Sequence, residues 1–227
     1  MSIISDMMLH DQELSNNKSK RILICLCVDC SASMLRDGAM QQVNSGIEMF
    51  FEKTNHSTLA RDAADICIVS FGDTARVVCD FGPLEKAMSQ VRREPIRANG
   101  AQTVLAAGVN LALDRLDAHL AELAAVNNNA YVPWLIIISD GDSTEPSELV
   151  GKAAARVQEM LRARRLKTMC LNMGEGSRSL NAFAENGSVG RLENLKVVDF
   201  FEMLSRSVSE TSKQVIESGG PDFSVQG

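Results

Sequence analysis

The sequence has no long apolar run, and none of its hydrophobic stretches approaches the roughly 18 residues that a membrane-spanning helix needs. We therefore expect no membrane span. Residues 1–20 carry acids early and have no long apolar core, which argues against a secretory signal. A glycine-rich phosphate-binding loop is also missing after the first predicted strand, so a nucleotide-binding domain is disfavoured.

Histidine is scarce as well. The three histidines, His10, His56 and His119, are scattered along the chain and adjoin no motif, so we interpret them as surface residues. No histidine, lysine or cysteine is placed by a motif as a base or nucleophile. An enzyme site needs such a group in addition to any metal, so we expect the protein not to be an enzyme.

The charge balance is weakly acidic, with 23 basic and 29 acidic residues and a net charge of −6. This argues against nucleic acid or an anionic membrane as the main partner. With 227 residues, 45% of them hydrophobic, the chain is long enough for one α/β domain with a sizeable core.

The six cysteines lie mostly in or beside predicted strands, and Cys30 lies in a turn. This is how buried, reduced cysteines are used, so we expect a cytoplasmic protein without disulfides. The close spacing of Cys25, Cys27 and Cys30 could indicate zinc. No second cysteine or histidine pair follows at zinc-finger spacing, however, which disfavours that alternative.

Strands and helices alternate along most of the chain, which predicts an α/β, doubly wound, mostly parallel six-stranded sheet with helices on both faces. A tight turn at Gly72 and Asp73 predicts one antiparallel edge strand. The domain is expected at 20–217, between a polar N-terminal extension, 1–19, and a disordered tail, 218–227. The predicted strands are 20–28, 65–72, 74–81, 134–138, 168–173 and 195–198, and the main helices are 37–54, 83–93, 103–127, 145–165, 177–186 and 199–217.

Oxygen-bearing side chains follow the ends of two predicted strands and open one long helix. Asp29, Ser31 and Ser33 follow the first strand, Thr103 begins the long helix, and Asp140 follows the fourth strand. Ligands of open α/β sheets bind at the carboxyl ends of the strands. Carboxylates and hydroxyls are donors for a hard cation such as Mg²⁺. We expect Asp29 and Asp140 to lie in solvent-facing turns.

This set of residues resembles the von Willebrand factor A (vWA) family with its metal-ion-dependent adhesion site, over about 20–217. It is most similar to the bacterial TerY-like group associated with tellurium resistance. Two positions depart from the family pattern: Ala32 stands where a glycine is usual, and Gln102 replaces the second glycine of Gly-Gly-Thr. The segments that carry the resemblance are 28–34, 68–72, 100–105, 134–141 and 199–204.

The resemblance implies a metal centre in which Ser31 and Ser33 bind Mg²⁺ directly, with Mn²⁺ or Ca²⁺ as alternatives. Thr103 would bind directly or through water, and Asp29 and Asp140 would bind directly or accept hydrogen bonds around the ion. It further implies a non-enzymatic protein-binding module whose metal recognises an Asp or Glu of a partner. That partner would be a kinase or a PP2C-type phosphatase in a stress-response or signalling assembly.

Other interpretations stay open at this point. Asp29 and Asp140 could simply cap the helices that follow them. A metal-dependent, phosphatase-like hydrolase is the alternative function, although it would favour two aspartates in D-x-D where this chain has Asp29-Cys-Ser31. Asp73 and Asp142 are interpreted as turn residues, with Asp142 the reserve ligand. Met34 is expected in an apolar rim around the metal.

Overall fold

The computed structural model describes residues 20–174, 178–185, 189–191 and 197–217. The predicted extension, 1–19, and the predicted tail, 218–227, therefore lie outside the described residues, as does His10. Between them, strands and helices alternate as the sequence pattern predicts.

Six strands form one mixed sheet in the order β3-β2-β1-β4-β5-β6. Only β2 and β3 pair antiparallel among the described strands, and the other neighbours are parallel. The predicted α/β, mostly parallel fold with an antiparallel edge strand is confirmed. The strands are β1 (Ile22–Asp29), β2 (Ala64–Phe71), β3 (Ala75–Cys79), β4 (Trp134–Ser139), β5 (Lys167–Asn172) and β6 (Val189–Arg191).

Seven α-helices and one 3₁₀ segment, Ala32–Gly38, connect the strands in the described part of the chain. The first predicted helix was placed at 37–54, and the structure begins its α-helical part at Ala39, after the 3₁₀ segment. The helices are α1 (Ala39–Asn55), α2 (Thr58–Ala63), α3 (Leu84–Arg93), α4 (Leu105–Ala125), α5 (Ser147–Arg162), α6 (Arg178–Asn181) and α7 (Val197–Glu217).

The central strands are buried on both faces, as the unbroken apolar runs predict. Successive side chains of a strand point to opposite faces, so β1 contributes to two separate cores. Ile24 and Leu26 belong to the core that α1 and α7 cover. Cys25 and Cys27 belong to the core that α4 and α5 cover. The sheet therefore separates two helical layers. The parallel strands begin at one edge of the sheet and end at the opposite edge.

The sixth strand does not lie where the sequence indicated. The prediction was 195–198, but Val197 and Val198 already belong to α7, and 195–196 lie outside the described residues. The strand that pairs with β5 is the three-residue β6. A short apolar run does not distinguish a strand from the first turn of an amphipathic helix, which explains the error.

All six cysteines are buried and free, as the sequence predicts. Burial raises the pKa of the Cys170 thiol to about 12, so this thiol stays protonated and unreactive at neutral pH. Among the described residues, no group of three or more His, Cys, Asp or Glu side chains is arranged to hold a metal, which gives no support to a zinc site.

Charged groups are buried at the edge of the sheet where β1 and β2 begin. Arg21 Nε donates to Asp65 Oδ2 at 2.9 Å, and His119 Nε2 lies 3.1 Å from the same oxygen. The other ring nitrogen, His119 Nδ1, lies 2.8 Å from Glu122 Oε2. The side chain of His119 is 2% exposed, so its assignment to the surface was wrong, whereas His56 is exposed.

This ion cluster, defined by Arg21, Asp65, His119 and Glu122, shifts the titration of two of its members. Burial alone would lower the pKa of His119, but hydrogen bonds and charges of Asp65 and Glu122 outweigh burial and raise it. Burial alone would raise the pKa of Asp65, but His119 and Arg21 outweigh burial and lower it. Both shifts therefore favour the charged form of the residue.

No helix in the described ranges is both long enough and apolar enough to cross a membrane.

Candidate metal centre

The candidate site lies where the winding of the sheet reverses direction. β1 has β2 on one side and β4 on the other, so the connections leaving β1 and β4 go to opposite sides of the sheet. Such a reversal opens a crevice at the carboxyl ends of the two strands. Asp29 is the last residue of β1, and Asp140 directly follows β4. The topology thus brings together two carboxylates that are far apart in the sequence.

Asp29 is fully buried at the end of its strand, so the expectation of a solvent-facing turn was wrong for this residue. Its Oδ1 accepts from the Ser31 backbone N–H at 2.8 Å, and its Oδ2 accepts from the Ser139 hydroxyl at 2.6 Å. The first contact shapes the turn that follows β1, and the second joins β1 to the end of β4. Asp29 therefore positions both ligand-bearing segments.

Hydroxyl groups connect this turn to the second carboxylate. Ser31 Oγ lies 2.8 Å from Ser33 Oγ, and Ser33 Oγ donates to Asp140 Oδ1 at 2.7 Å. Four of the five predicted ligands, Asp29, Ser31, Ser33 and Asp140, are thus connected within two loops. Helix capping alone would not require the two serines to point towards Asp140.

Thr103 belongs to the same group of loops, although among the described residues its hydroxyl makes no hydrogen bond to the other four ligands. It is 6% exposed. Its backbone is fixed from the loop after β4, because its carbonyl accepts from the Ser143 hydroxyl and its N–H donates to the Thr144 hydroxyl. Glu145 of that loop also accepts from the Ala106 and Ala107 N–H groups at the start of α4. The loop that carries Asp140 therefore also positions Thr103.

Asp73 fixes the other side of the Thr103 loop. Its Oδ1 accepts from the backbone N–H groups of Ala101 and Gln102 at 2.7 and 2.8 Å. Gly100 pairs with Ser31 in an isolated bridge, and Ala32 N donates to the Gly100 carbonyl at 2.6 Å. Asp73 thus does more than shape its own turn, because it holds a neighbouring loop against the motif.

The two departures from the family pattern leave the backbone ordinary. Among the described residues other than glycine, only Asp37, Asn127 and Arg164 have positive φ angles. Ala32 and Gln102 are therefore not held in the left-handed region that favours glycine. Neither substitution removes an oxygen from the candidate ligand set.

Burial and a neighbouring carboxylate both act on the protonation of Asp29. Burial raises the pKa of Asp29 above its usual value; hydrogen bonds from Ser139 and Ser31 oppose this shift, and the charge of Asp140 adds to it. A divalent cation placed between the hydroxyls and carboxylates would offset both effects. The donor set, two carboxylates with neutral hydroxyls, fits an oxygen-preferring ion.

Comparisons with known proteins agree with this arrangement. The sequence profile of the von Willebrand factor type A domain matches residues 24–143. The chain belongs to the von Willebrand factor type A domain family. The matched range includes most of β1, all of β2, β3 and β4, and all five candidate ligands. A comparison with curated proteins found no match.

Solved vWA structures share the fold at low sequence identity. A von Willebrand factor type A protein from Catenulispora acidiphila is 16% identical with a TM-score of 0.60; 87% of this chain and 43% of that chain are covered. The PilB minor pilin from Streptococcus sanguinis is 11% identical with a TM-score of 0.58, covering 89% and 64%. Proximal thread matrix protein 1 from the mussel byssus, solved with a zinc-occupied MIDAS motif, is 15% identical with a TM-score of 0.55, covering 86% and 46%.

This vWA chain thus spans between 43% and 64% of the length of those three solved chains. At such identities the likeness concerns the fold.

Several residues of this vWA domain position the site without having been singled out from the sequence. Ser139 is fully buried and bonds Asp29, yet it stands beside the more conspicuous Asp140 in the Ser-Asp-Gly strand end. The feature that could have identified Ser139 from the sequence is a single hydroxyl at the end of an otherwise apolar strand. Glu145 left no comparable signal, because its contacts with α4 are long-range and its neighbours are ordinary loop residues.

The apolar residue exposed beside the motif is not the one expected. Met34 is fully buried and packs in the core that α1 covers, so it does not form a rim. Leu35, the next residue, is 59% exposed. Asp142 accepts from the Ser179 backbone N–H at 2.9 Å, so it connects the loop after β4 to α6.

Proposed function

We propose that this vWA domain is a non-enzymatic, divalent-metal-dependent protein-binding module. Asp29, Ser31, Ser33, Thr103 and Asp140 hold the ion, and an Asp or Glu of a partner protein completes its coordination. The observation that carries the proposal is the chain of hydrogen bonds from Asp29 through the serine turn to Asp140 at the switch point of the sheet. vWA domains commonly serve as metal-dependent interaction modules, and the mussel protein named above carries zinc at its motif.

The ligand chemistry favours Mg²⁺, with Mn²⁺ or Ca²⁺ as alternatives. Magnesium is bound by oxygen ligands and usually keeps several waters and few carboxylates. A set of three hydroxyls and two carboxylates suits this habit, whereas zinc prefers nitrogen and sulfur ligands. Neutral hydroxyls leave residual positive charge on the ion, so an incoming carboxylate is attracted even though the whole chain carries a net charge of −6.

The sequence resemblance to the TerY-like group extends the proposal to a stress-response assembly in the bacterial cytoplasm. Tellurium resistance is one such response. Its partner there would be a kinase or a PP2C-type phosphatase that presents the acidic residue. A phosphatase-like hydrolase is the alternative, and it would require a base or nucleophile next to the ion. The only titratable groups that the motif itself contributes are two carboxylates and the buried Cys30 thiol.

A metal titration with a charge-matched control tests the proposal. Calorimetry should show one Mg²⁺ or Mn²⁺ site in the wild-type protein, and Asp140→Asn should weaken binding by at least about tenfold because one charged ligand is lost. Asp117→Asn removes the same charge from an exposed carboxyl on α4 and should bind metal like the wild type. Equal affinities in the two variants would refute the assignment of the site.

A capture experiment tests the role of the metal in recognition. The immobilised domain is exposed to native lysate with EDTA, and again with Mg²⁺ restored, using wild type and both variants. Proteins that bind only with Mg²⁺, and not to Asp140→Asn, are the expected partners. Turnover of a phosphate ester that depends on Mg²⁺ and Asp140 would favour the hydrolase instead.

A further inference from the structure

A cavity of about 650 Å³ opens between β3 and the segment that follows α3. Its charged lining consists of Arg76 from β3, Arg93 from the last turn of α3, Arg97, and the single carboxylate of Glu94. We call the three arginines with this space the arginine cavity. Three positive charges and one negative charge leave a local excess of two positive charges on a chain whose net charge is −6.

None of the three arginines of this cavity forms an ion pair with an acidic side chain in the described part of the chain. Arg93 bonds the neutral Gln90 side chain, and Arg76 Nε donates to the Ser70 hydroxyl at 3.2 Å. In contrast, Arg92, directly before Arg93, contacts the carboxylates of Glu48 and Glu52 at 3.1 and 3.0 Å. The guanidinium groups of the cavity are therefore available to bind an anionic group of another molecule.

The arginine cavity is joined to the candidate metal centre by backbone contacts. Asn99 lines the cavity, and its N–H donates to the Cys30 carbonyl at 2.9 Å. Cys30 lies between Asp29 and Ser31, and the next residue after Asn99, Gly100, pairs with Ser31. The segment that lines the cavity is therefore paired directly with the turn that carries Asp29, Ser31 and Ser33.

We propose that the arginine cavity is a second recognition site, which binds a further anionic side chain of the partner segment whose carboxylate reaches the metal. This inference rests on the proposed function. A guanidinium group presents a planar set of donors that binds a carboxylate or a phosphate through two parallel hydrogen bonds. Val77 and Ile96 supply apolar walls for the intervening residues. The ligand class is thus an acidic peptide whose second anionic group is either Asp/Glu or a phosphorylated residue.

The test uses three fluorescein-labelled synthetic peptides, namely hexaglutamate, a serine–phosphoserine hexapeptide and hexaglutamine, and measures anisotropy in Mg²⁺ and in EDTA. The double variant Arg93→Gln/Arg97→Gln removes two charges from the cavity. The control, Arg162→Gln/Arg165→Gln, removes two charges from the end of α5 and so gives the same net charge. Both should keep the wild-type unfolding temperature, because all four side chains are solvent-exposed.

In Mg²⁺ and in EDTA alike, we expect Arg93→Gln/Arg97→Gln to weaken binding of the anionic peptides about tenfold, while the control retains wild-type affinity. Tighter binding of the phosphoserine peptide would assign the cavity to a phosphorylated partner, and tighter binding of hexaglutamate to an acidic one. Equal losses in the two double variants, or equal binding of hexaglutamine, would overturn the inference.

The same measurements separate the two proposals. If Arg93→Gln/Arg97→Gln weakens peptide binding while EDTA and Asp140→Asn leave it unchanged, the cavity is supported as a binding site and metal-dependent recognition is refuted. If peptide binding requires Mg²⁺ and Asp140 but is unchanged in Arg93→Gln/Arg97→Gln, the metal centre is supported and the cavity is refuted as a binding site.

Discussion

Gly174 lies directly against the backbone of Asp140, so that a Cβ at residue 174 would collide with the Asp140 carbonyl oxygen. Gly174 follows the end of β5, and Asp140, the second carboxylate of the candidate metal centre, begins the loop after β4. No side chain larger than hydrogen fits between them without moving that loop. Gly174 therefore helps to position the candidate metal centre although it carries no candidate ligand atom.

Replacing Gly174 should disturb the candidate metal centre although Gly174 is not one of its candidate ligands. We expect Gly174→Ala to displace the Asp140 loop, weaken Mg²⁺ binding at least about tenfold, and lower the free energy of unfolding by about 1–3 kcal/mol, as overpacking does. Gly141→Ala is the matched control, because a Cβ there meets nothing within 4 Å. Calorimetric titration and urea unfolding measure both quantities. Wild-type metal affinity in Gly174→Ala would show that the Asp140 loop does not position the ion.

The buried ion cluster predicts how stability depends on pH. The raised pKa of His119 means that its contribution is complete below about pH 6.5 and is lost as the pH rises through the raised value. The lowered pKa of Asp65 means that its contribution is complete above about pH 3.9 and is lost as the pH falls through the lowered value. The unfolding temperature of the wild type should therefore be highest between these limits and fall from pH 6.5 towards pH 9.

Two variants test that explanation. His119→Gln should flatten the decline above pH 6.5, because the titrating group is gone. Asp65→Asn should cost about 3 kcal/mol at pH 6, since Arg21 would be left buried without its counter-charge. Glu148→Gln breaks an exposed pair on α5 and should cost less than about 0.5 kcal/mol. An unchanged pH profile in His119→Gln would assign the decline to another group.

Leu35 is a large apolar side chain that is exposed directly after the candidate metal-binding turn. We expect Leu35→Ser to weaken Mg²⁺-dependent capture of partners several-fold while leaving the unfolding temperature and the Mg²⁺ affinity unchanged, because its side chain is 59% exposed. Leu59→Ser on α2 is the control. Leu59 is 41% exposed, and α2 leads into the start of β2, at the edge of the sheet opposite to the candidate metal centre. Equal capture by both variants would exclude Leu35 from the recognition surface.

The parts of the fold that sequence reasoning predicted best are the elements with strong local patterns. β1 and β4 are continuous apolar runs, and α4 carries its apolar residues at helical spacing, so their positions agree with the structure within about two residues. α2 is only six residues long and was not predicted. β6 was misplaced because a three-residue strand has no periodicity to detect.

Sequence reasoning also explains the candidate site only in part. The spacing of Asp29, Ser31 and Ser33 in one turn is local and visible in the chain. Contacts such as those of Asp73 with the Thr103 loop depend on how distant loops meet, which no local pattern encodes. His119 was misjudged for the same reason, because its partner Asp65 lies 54 positions away, on β2.

The hydrogen bond from Ser139 to Asp29 spans 110 positions of the chain, and that from Ser33 to Asp140 spans 107. Contacts of such sequence separation form only after the entropy of closing a long loop has been overcome. The centre therefore assembles with the pairing of β1 and β4 and not before it. An ion bound there stabilises the native state without binding the unfolded chain. If the centre forms only after the folding transition state, such an ion would slow unfolding and leave the rate of folding unchanged.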